Sequence, residues 1–141
     1  MTPFKKDILK KMISAAQKAQ ENSYSPYSNH PVGAAILTED GKIYAGCNVE
    51  TTDFKTICAE QNAVSSMIAQ AGNKKIAAVF VIGPTEHVIT PCGNCRQTLY
   101  EFGTSDTTVL CCNNDQSLSK ETSLGELLPF YFNMDKEKAE E

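Results

Sequence analysis

The chain has 141 residues, 41% hydrophobic and 21% charged, with 13 basic against 17 acidic side chains for a formal charge of −4. That length gives one core, so residues 1–141 are expected to form a single domain. Lysines scattered among acids leave no basic stripe for nucleic acid or an anionic surface, and no run approaches the roughly 18 apolar residues that cross a bilayer.

The opening M-T-P-F-K-K-D-I-L-K-K-M-I-S lacks the apolar stretch of a signal peptide, which predicts a cytoplasmic protein. In that reducing compartment six cysteines serve as core residues, metal ligands or catalytic thiols rather than disulfides. Phe4, Ile8, Met12, Ala15, Ala16 and Ala19 recur at helical spacing and predict an amphipathic helix over about 4–21. V-G-A-A-I-L and K-I-Y-A-G-C, flanking Asp40-Gly41, predict a β-hairpin. The polar stretch N-V-E-T-T-D-F-K-T reads as a loop.

From Cys58, the residues Ala59, Ala63, Val64, Met67, Ile68 and Ala71 mark a buried helix face that Gly72 ends. The continuous apolar run I-A-A-V-F-V-I predicts a strand covered on both faces. P-C-G-N-C-R-Q opens a further helix, carried on by Leu99 and Phe102 and closed by Gly103. A strand at T-T-V-L-C-C, a polar turn, a short helix at S-L-G-E-L-L-P-F and a frayed charged tail from about 134 to 141 complete the chain. This alternation predicts an α/β sheet with helices on both faces, and Cys47, Cys111 and Cys112, in strand-like stretches, are expected in the core.

C-A-E at Cys58 and P-C-G-N-C at Cys92 and Cys95 both fall where the chain enters a helix. Helix N-termini lower thiol pKa and favour the thiolates that zinc binds. Three cysteine ligands leave a fourth position open, which is the catalytic pattern for zinc; Cys47, Cys111 or His87 as a fourth ligand would instead close a structural, non-catalytic site. Zinc lowers the pKa of water towards 7, and Glu60, on the first turn but not a ligand, is placed to carry its proton. Cysteine two residues before glutamate, with P-C-x-x-C downstream, is the zinc deaminase signature.

With these motifs the sequence resembles the cytidine deaminase family, in its small homotetrameric, all-cysteine branch. The match runs from about Tyr24 to Phe132 through Y-S-P-Y-S, V-G-A-A-I-L, D-G-K-I-Y-A-G-C-N-V-E, I-C-A-E, T-P-C-G-N-C-R-Q and E-L-L-P. The resemblance implies a three-layer α/β/α fold on a mixed five-stranded sheet, one Zn²⁺ per chain, and hydrolysis of cytidine or deoxycytidine to uridine or deoxyuridine and ammonia in pyrimidine salvage. It also implies that Asn48 and Glu50 bind the ribose, that backbone groups near Ala59 and Cys92 read the base edge, and that Phe132 reaches a neighbouring subunit's pocket. Four features depart from the family. His30 stands where a phenylalanine packs on the pyrimidine, Phe54 where a tyrosine often contacts the ribose, and Gln61, beside the zinc thiolates, where arginine is frequent. The 48–58 loop is one residue shorter than usual. His30 and that loop leave open a sibling aminohydrolase acting on a modified cytosine nucleoside such as blasticidin S, against which Glu50 argues.

Overall fold

The computed structural model describes residues 4–134; the charged tail expected beyond falls, from residue 135, outside the described residues. The first helix, α1, is Lys6–Glu21, with Met12 and Ala16 fully buried. It starts two residues later than the periodicity predicts, because Phe4 packs against the core from ahead of the Lys5 cap. The hairpin follows as β1 (Gly33–Thr38) and β2 (Ile43–Cys47), then a small pair, β3 (Val49–Glu50) and β4 (Thr56–Ile57). Next come α2 (Ala59–Ala71), β5 (Ile76–Ile82), α3 (Gly93–Phe102), β6 (Thr108–Cys112), β7 (Ser119–Ser123) and α4 (Leu124–Leu127).

The main sheet has five strands in the order β2-β1-β5-β6-β7. Only β5 and β6 run parallel; β1 is antiparallel to β2 and β5, and β7 to β6. Side chains alternate between faces along each strand. Ala34, Ile36, Val79, Val81, Val109 and Cys111 pack with α2, α3 and α4, while Ala35, Leu37, Phe80, Ile82 and Cys112 pack with α1. The result is the expected three-layer α/β/α arrangement with helices on both faces.

Two polar segments carry strands that the pattern did not show. β7, S-K-E-T-S, occupies the end of the expected polar turn and the first residue of the expected short helix; as an edge strand with no apolar residue it has no alternation to read. β3 and the start of β4 lie within the expected loop, held by Val49 opposite Ile57 and Glu50 opposite Thr56. Cys111 and Cys112 are buried as expected, but Cys47, at the end of edge strand β2, is only half-buried.

Two glycines set where α2 lies. A Cβ on Gly46 would stand 2.4 Å from the Ala63 amide nitrogen and 2.6 Å from the Ala59 carbonyl oxygen, so only glycine lets the first turns of α2 rest on β2. Asn62 Nδ2 donates to the Cys47 carbonyl at 2.7 Å and fastens the same contact. Gly72, at φ +76°, ends the helix, its N–H donating to the Ile68 carbonyl. The α2 N-terminus is thereby seated firmly on the sheet.

Candidate active site

Cys58 caps α2 and Cys92 caps α3, both with extended backbone, and Cys95 sits on the first turn of α3. The three Sγ atoms lie within 4.8 Å of one another, with Cys58 to Cys92 at 3.9 Å and Cys92 to Cys95 at 3.5 Å. Three thiolates at about 2.3 Å from one tetrahedral zinc would stand about 3.8 Å apart. Spacing and soft sulfur donors therefore both fit Zn²⁺, and the alternative fourth ligands Cys47, Cys111 and His87 are not in the cluster. Gln61 holds the site from behind: its Oε1 accepts from the Cys58 backbone N–H at 3.2 Å.

Glu60 is 5% exposed on the first turn of α2, and the Cys95 thiol donates to its Oε2 at 3.5 Å. Burial raises its pKa above the ordinary carboxylate range, which suits a group that must both take and give a proton. The expectation that helix N-termini lower all three thiols holds for Cys92 alone. There burial opposes, but the Cys95 backbone N–H and the side-chain contacts with Cys95 and Cys58 outweigh it. Burial raises Cys58, and burial together with the negative charge of Glu60 raises Cys95 strongly. A cation bound in the cluster would offset that burial and bring the thiols towards thiolate.

These groups open into a cavity of about 380 Å³ whose lining also includes Ala59, Asn48, Glu50 and His30. Asn48 Oδ1 accepts from the Val32 N–H at 2.9 Å and from the Ser23 hydroxyl, and Nδ2 donates to the His30 carbonyl at 2.9 Å. Glu50 Oε1 accepts from the Tyr27 and Ser28 N–H groups, each at 3.0 Å, and Oε2 from the Ser28 hydroxyl. Asn48 retains one N–H and Glu50 one lone pair for a further partner. The Ser28 hydroxyl, then the Ser28 backbone, holds the Glu50 carboxyl below its ordinary pKa.

Besides Gln61, two expected site residues lie outside that lining. Phe54, 96% exposed at φ +61°, borders a shallower depression with Tyr27, Ser28, Glu50 and Lys55. Phe132 is 70% exposed, its carbonyl accepting from Gln97 Nε2 at 2.8 Å. The cavity also draws on Ser28, Val32, Thr56, Ile89 and Thr90, to which the sequence reading gave no role. Position carried a signal for two of them: Ile89 and Thr90 directly precede the P-C of the metal motif.

The family model for the cytidine and deoxycytidylate deaminase zinc-binding region matches residues 6–111. A cytidine deaminase of Sporosarcina psychrophila is 40% identical over 125 residues, 88% of this chain and 90% of that protein. The crystal structure of cytidine deaminase from Burkholderia pseudomallei superposes with a TM-score of 0.81 at 42% identity, covering 94% of this chain and all (100%) of the other. That from Mycobacterium tuberculosis gives a TM-score of 0.76 at 34% identity, covering 89% and 98%.

Proposed function

The chain belongs to the cytidine and deoxycytidylate deaminase family, and on that basis we infer that it is a zinc-dependent enzyme hydrolysing cytidine and deoxycytidine to uridine or deoxyuridine and ammonia. The observation that carries this reading is a single cavity holding three thiols at zinc spacing with a buried carboxyl 3.5 Å from one of them.

In this reading Cys58, Cys92 and Cys95 hold the ion. Zinc supplies the Lewis acidity that makes a water acidic near neutral pH. With the ion bound, Glu60 would take a proton from the attacking water and give it to N3 of the base as the water oxygen bonds to C4. The same carboxyl then relays the second proton to the exocyclic amine, the C4–N bond breaks, and ammonia leaves. The 5% exposure of Glu60 keeps bulk water from short-circuiting the relay. Backbone groups at Ala59 and Cys92, on the two helix starts that face the cavity, orient the base edge. His30, which also lines the cavity, packs against the pyrimidine. The free N–H of Asn48 and the free lone pair of Glu50 receive the sugar. A carboxylate there disfavours phosphate, so free nucleosides are the substrates.

The same reading makes the protein a homotetramer of the cytoplasm, serving pyrimidine salvage. Supporting it are large exposed aromatics, Phe54 beside the neighbouring depression and Phe132 after α4, which a neighbouring copy would cover. Six free thiols suit a reducing compartment, and no helix among the described residues is long and apolar enough to cross a membrane.

Ultraviolet absorbance on mixing with cytidine, alongside free ammonia, tests the activity; blasticidin S in parallel tests the sibling chemistry. Loss of cytidine absorbance with stoichiometric ammonia is expected, and no turnover of either nucleoside by the zinc-loaded protein would overturn the reading. For the assembly, mixed Glu60→Ala and Phe132→Ala chains should recover activity that neither has alone. A fully active monomer on a sizing column would rule the shared pocket out.

A further inference from the structure

Arg96 follows directly on Cys95, yet its guanidinium faces no carboxylate among the described residues. It spreads instead over three neutral acceptors on two separate segments of the chain. Nε donates to the Pro91 carbonyl at 2.7 Å, Nη2 to the Thr90 hydroxyl at 3.0 Å, and Nη1 to the Leu127 carbonyl at 2.7 Å. Thr90 lines the cavity, and Pro91 immediately precedes the ligand Cys92. Leu127 is the last residue of α4, a helix end whose carbonyls have no partner within the helix.

α3 therefore grips two segments with one side chain. On its outer side the segment after α4 is held by further contacts to α3, with Gln97 Nε2 donating to the Phe132 carbonyl and Tyr100 stacking on Tyr131 at 3.6 Å. On its inner side the Thr90–Pro91 stretch has Arg96 as its side-chain donor. A planar fork with fixed donor directions can hold three acceptors at once, whereas an ammonium on a flexible stem cannot reproduce that geometry.

We propose that Arg96 is a positioning residue whose guanidinium fork locks the Thr90–Pro91 wall, and with it Cys92, to the end of α4. The position of the metal ligand and the docking of the carboxy-terminal segment are thereby coupled. The proposal rests on the zinc site described above, and the zinc content of the unaltered chain tests that site separately.

The experiment compares Arg96→Lys, Arg96→Gln and Gln97→Ala with the unaltered holoenzyme. Two readings are taken: zinc release to a chromogenic chelator, and amide hydrogen exchange over residues 88–92 and 124–132. Both Arg96 variants should release zinc about 10- to 100-fold faster, the scale seen when a group supporting a metal ligand is lost. Both segments should gain exchange together. Gln97→Ala removes only the outer contact, so it should loosen residues 130–132 and leave zinc release within about twofold of native. Native-like release from Arg96→Lys would mean that charge, not the fork, matters, and would overturn the proposal. So would faster exchange in one segment without the other, or equal acceleration of zinc release by Gln97→Ala. Should the Arg96 variants not fold, Thr90→Val removes one arm alone. It should speed zinc release severalfold and raise exchange in 88–92, and no change in either would be equally fatal. The exchange measurement reads the clamp with or without bound metal.

Discussion

The two ends of the cavity are built by different means. At the metal end, Cys58, Glu60, Cys92 and Cys95 all leave the first turns of two helices, and α2 is pressed onto β2 at a glycine. At the other end, which the proposed function gives to the sugar, Asn48 and Glu50 already hold the protein's own loop, through Val32 and His30 on one side and Tyr27 and Ser28 on the other. A side chain at the metal end can change the chemistry with little effect on the fold. One at the sugar end changes binding and loop order together.

The sharpest test of that contrast is loss of a metal ligand. Cys92→Ala should bring zinc from about one per chain to none, with activity at background, since two thiolates do not retain the ion. Elemental analysis of the purified variant reads this directly; a metal-free yet active protein would break the assignment of the metal end. Next in size is Glu60→Ala, which should keep the metal while turnover falls at least about 10²- to 10⁴-fold, the usual contribution of a general acid-base. Near-normal turnover would return Glu60 to an ordinary first-turn carboxylate.

Glu50→Ala should behave differently. It should raise KM for cytidine roughly ten- to a hundredfold, the scale of a lost charge-assisted hydrogen bond, and affect free cytosine far less. It should also lower the melting temperature, because the Tyr27 and Ser28 amides lose their acceptor. A binding loss with an unchanged melting temperature would erase the distinction between the two ends.

The same contrast explains what could be read from the sequence. The metal end follows local rules: a cysteine and a glutamate two residues apart, a C-x-x-C, helix starts after each, and Gly72 as a stop. The core strands show as apolar runs because both faces are covered. β7 and the β3–β4 pair did not show, since polar strands are fixed by their partners rather than by their own pattern. Arg96 was visible beside Cys95 as a charge, but its three acceptors lie five and six residues back and 31 ahead, distances that only the fold closes. Ser28 was likewise visible in Y-S-P-Y-S, yet its tie to Glu50, 22 residues on, was not.

That tie carries the smallest and most specific of these effects. The Ser28 hydroxyl is the largest of the influences that hold the Glu50 carboxyl below its ordinary value of 4.5; the Ser28 and Tyr27 amides and the charge of His30 add to it. A carboxyl whose pKa is depressed in the folded protein contributes stability that is present above its unfolded pKa and lost as pH falls through the folded one. In the unaltered protein Glu50 therefore stays ionised, holding the loop and available to the proposed sugar contact, to a pH below the ordinary carboxylate range. Ser28→Ala removes the leading influence and leaves the two amides, so the Glu50 pKa should rise part of the way back. At neutral pH both proteins have an ionised Glu50, and KM for cytidine should differ little. As pH falls, the rise in KM should begin at higher pH in Ser28→Ala, with the curves parting between the native folded pKa and 4.5. The measurement is KM against pH in both proteins at matched zinc content, since acid also protonates the thiolates and releases metal. Free cytosine serves as the control, because it engages the metal end without the sugar and should show no such displacement. Coincident acid limbs, or one displaced to lower pH in the variant, would mean that the serine hydroxyl does not set the charge of Glu50.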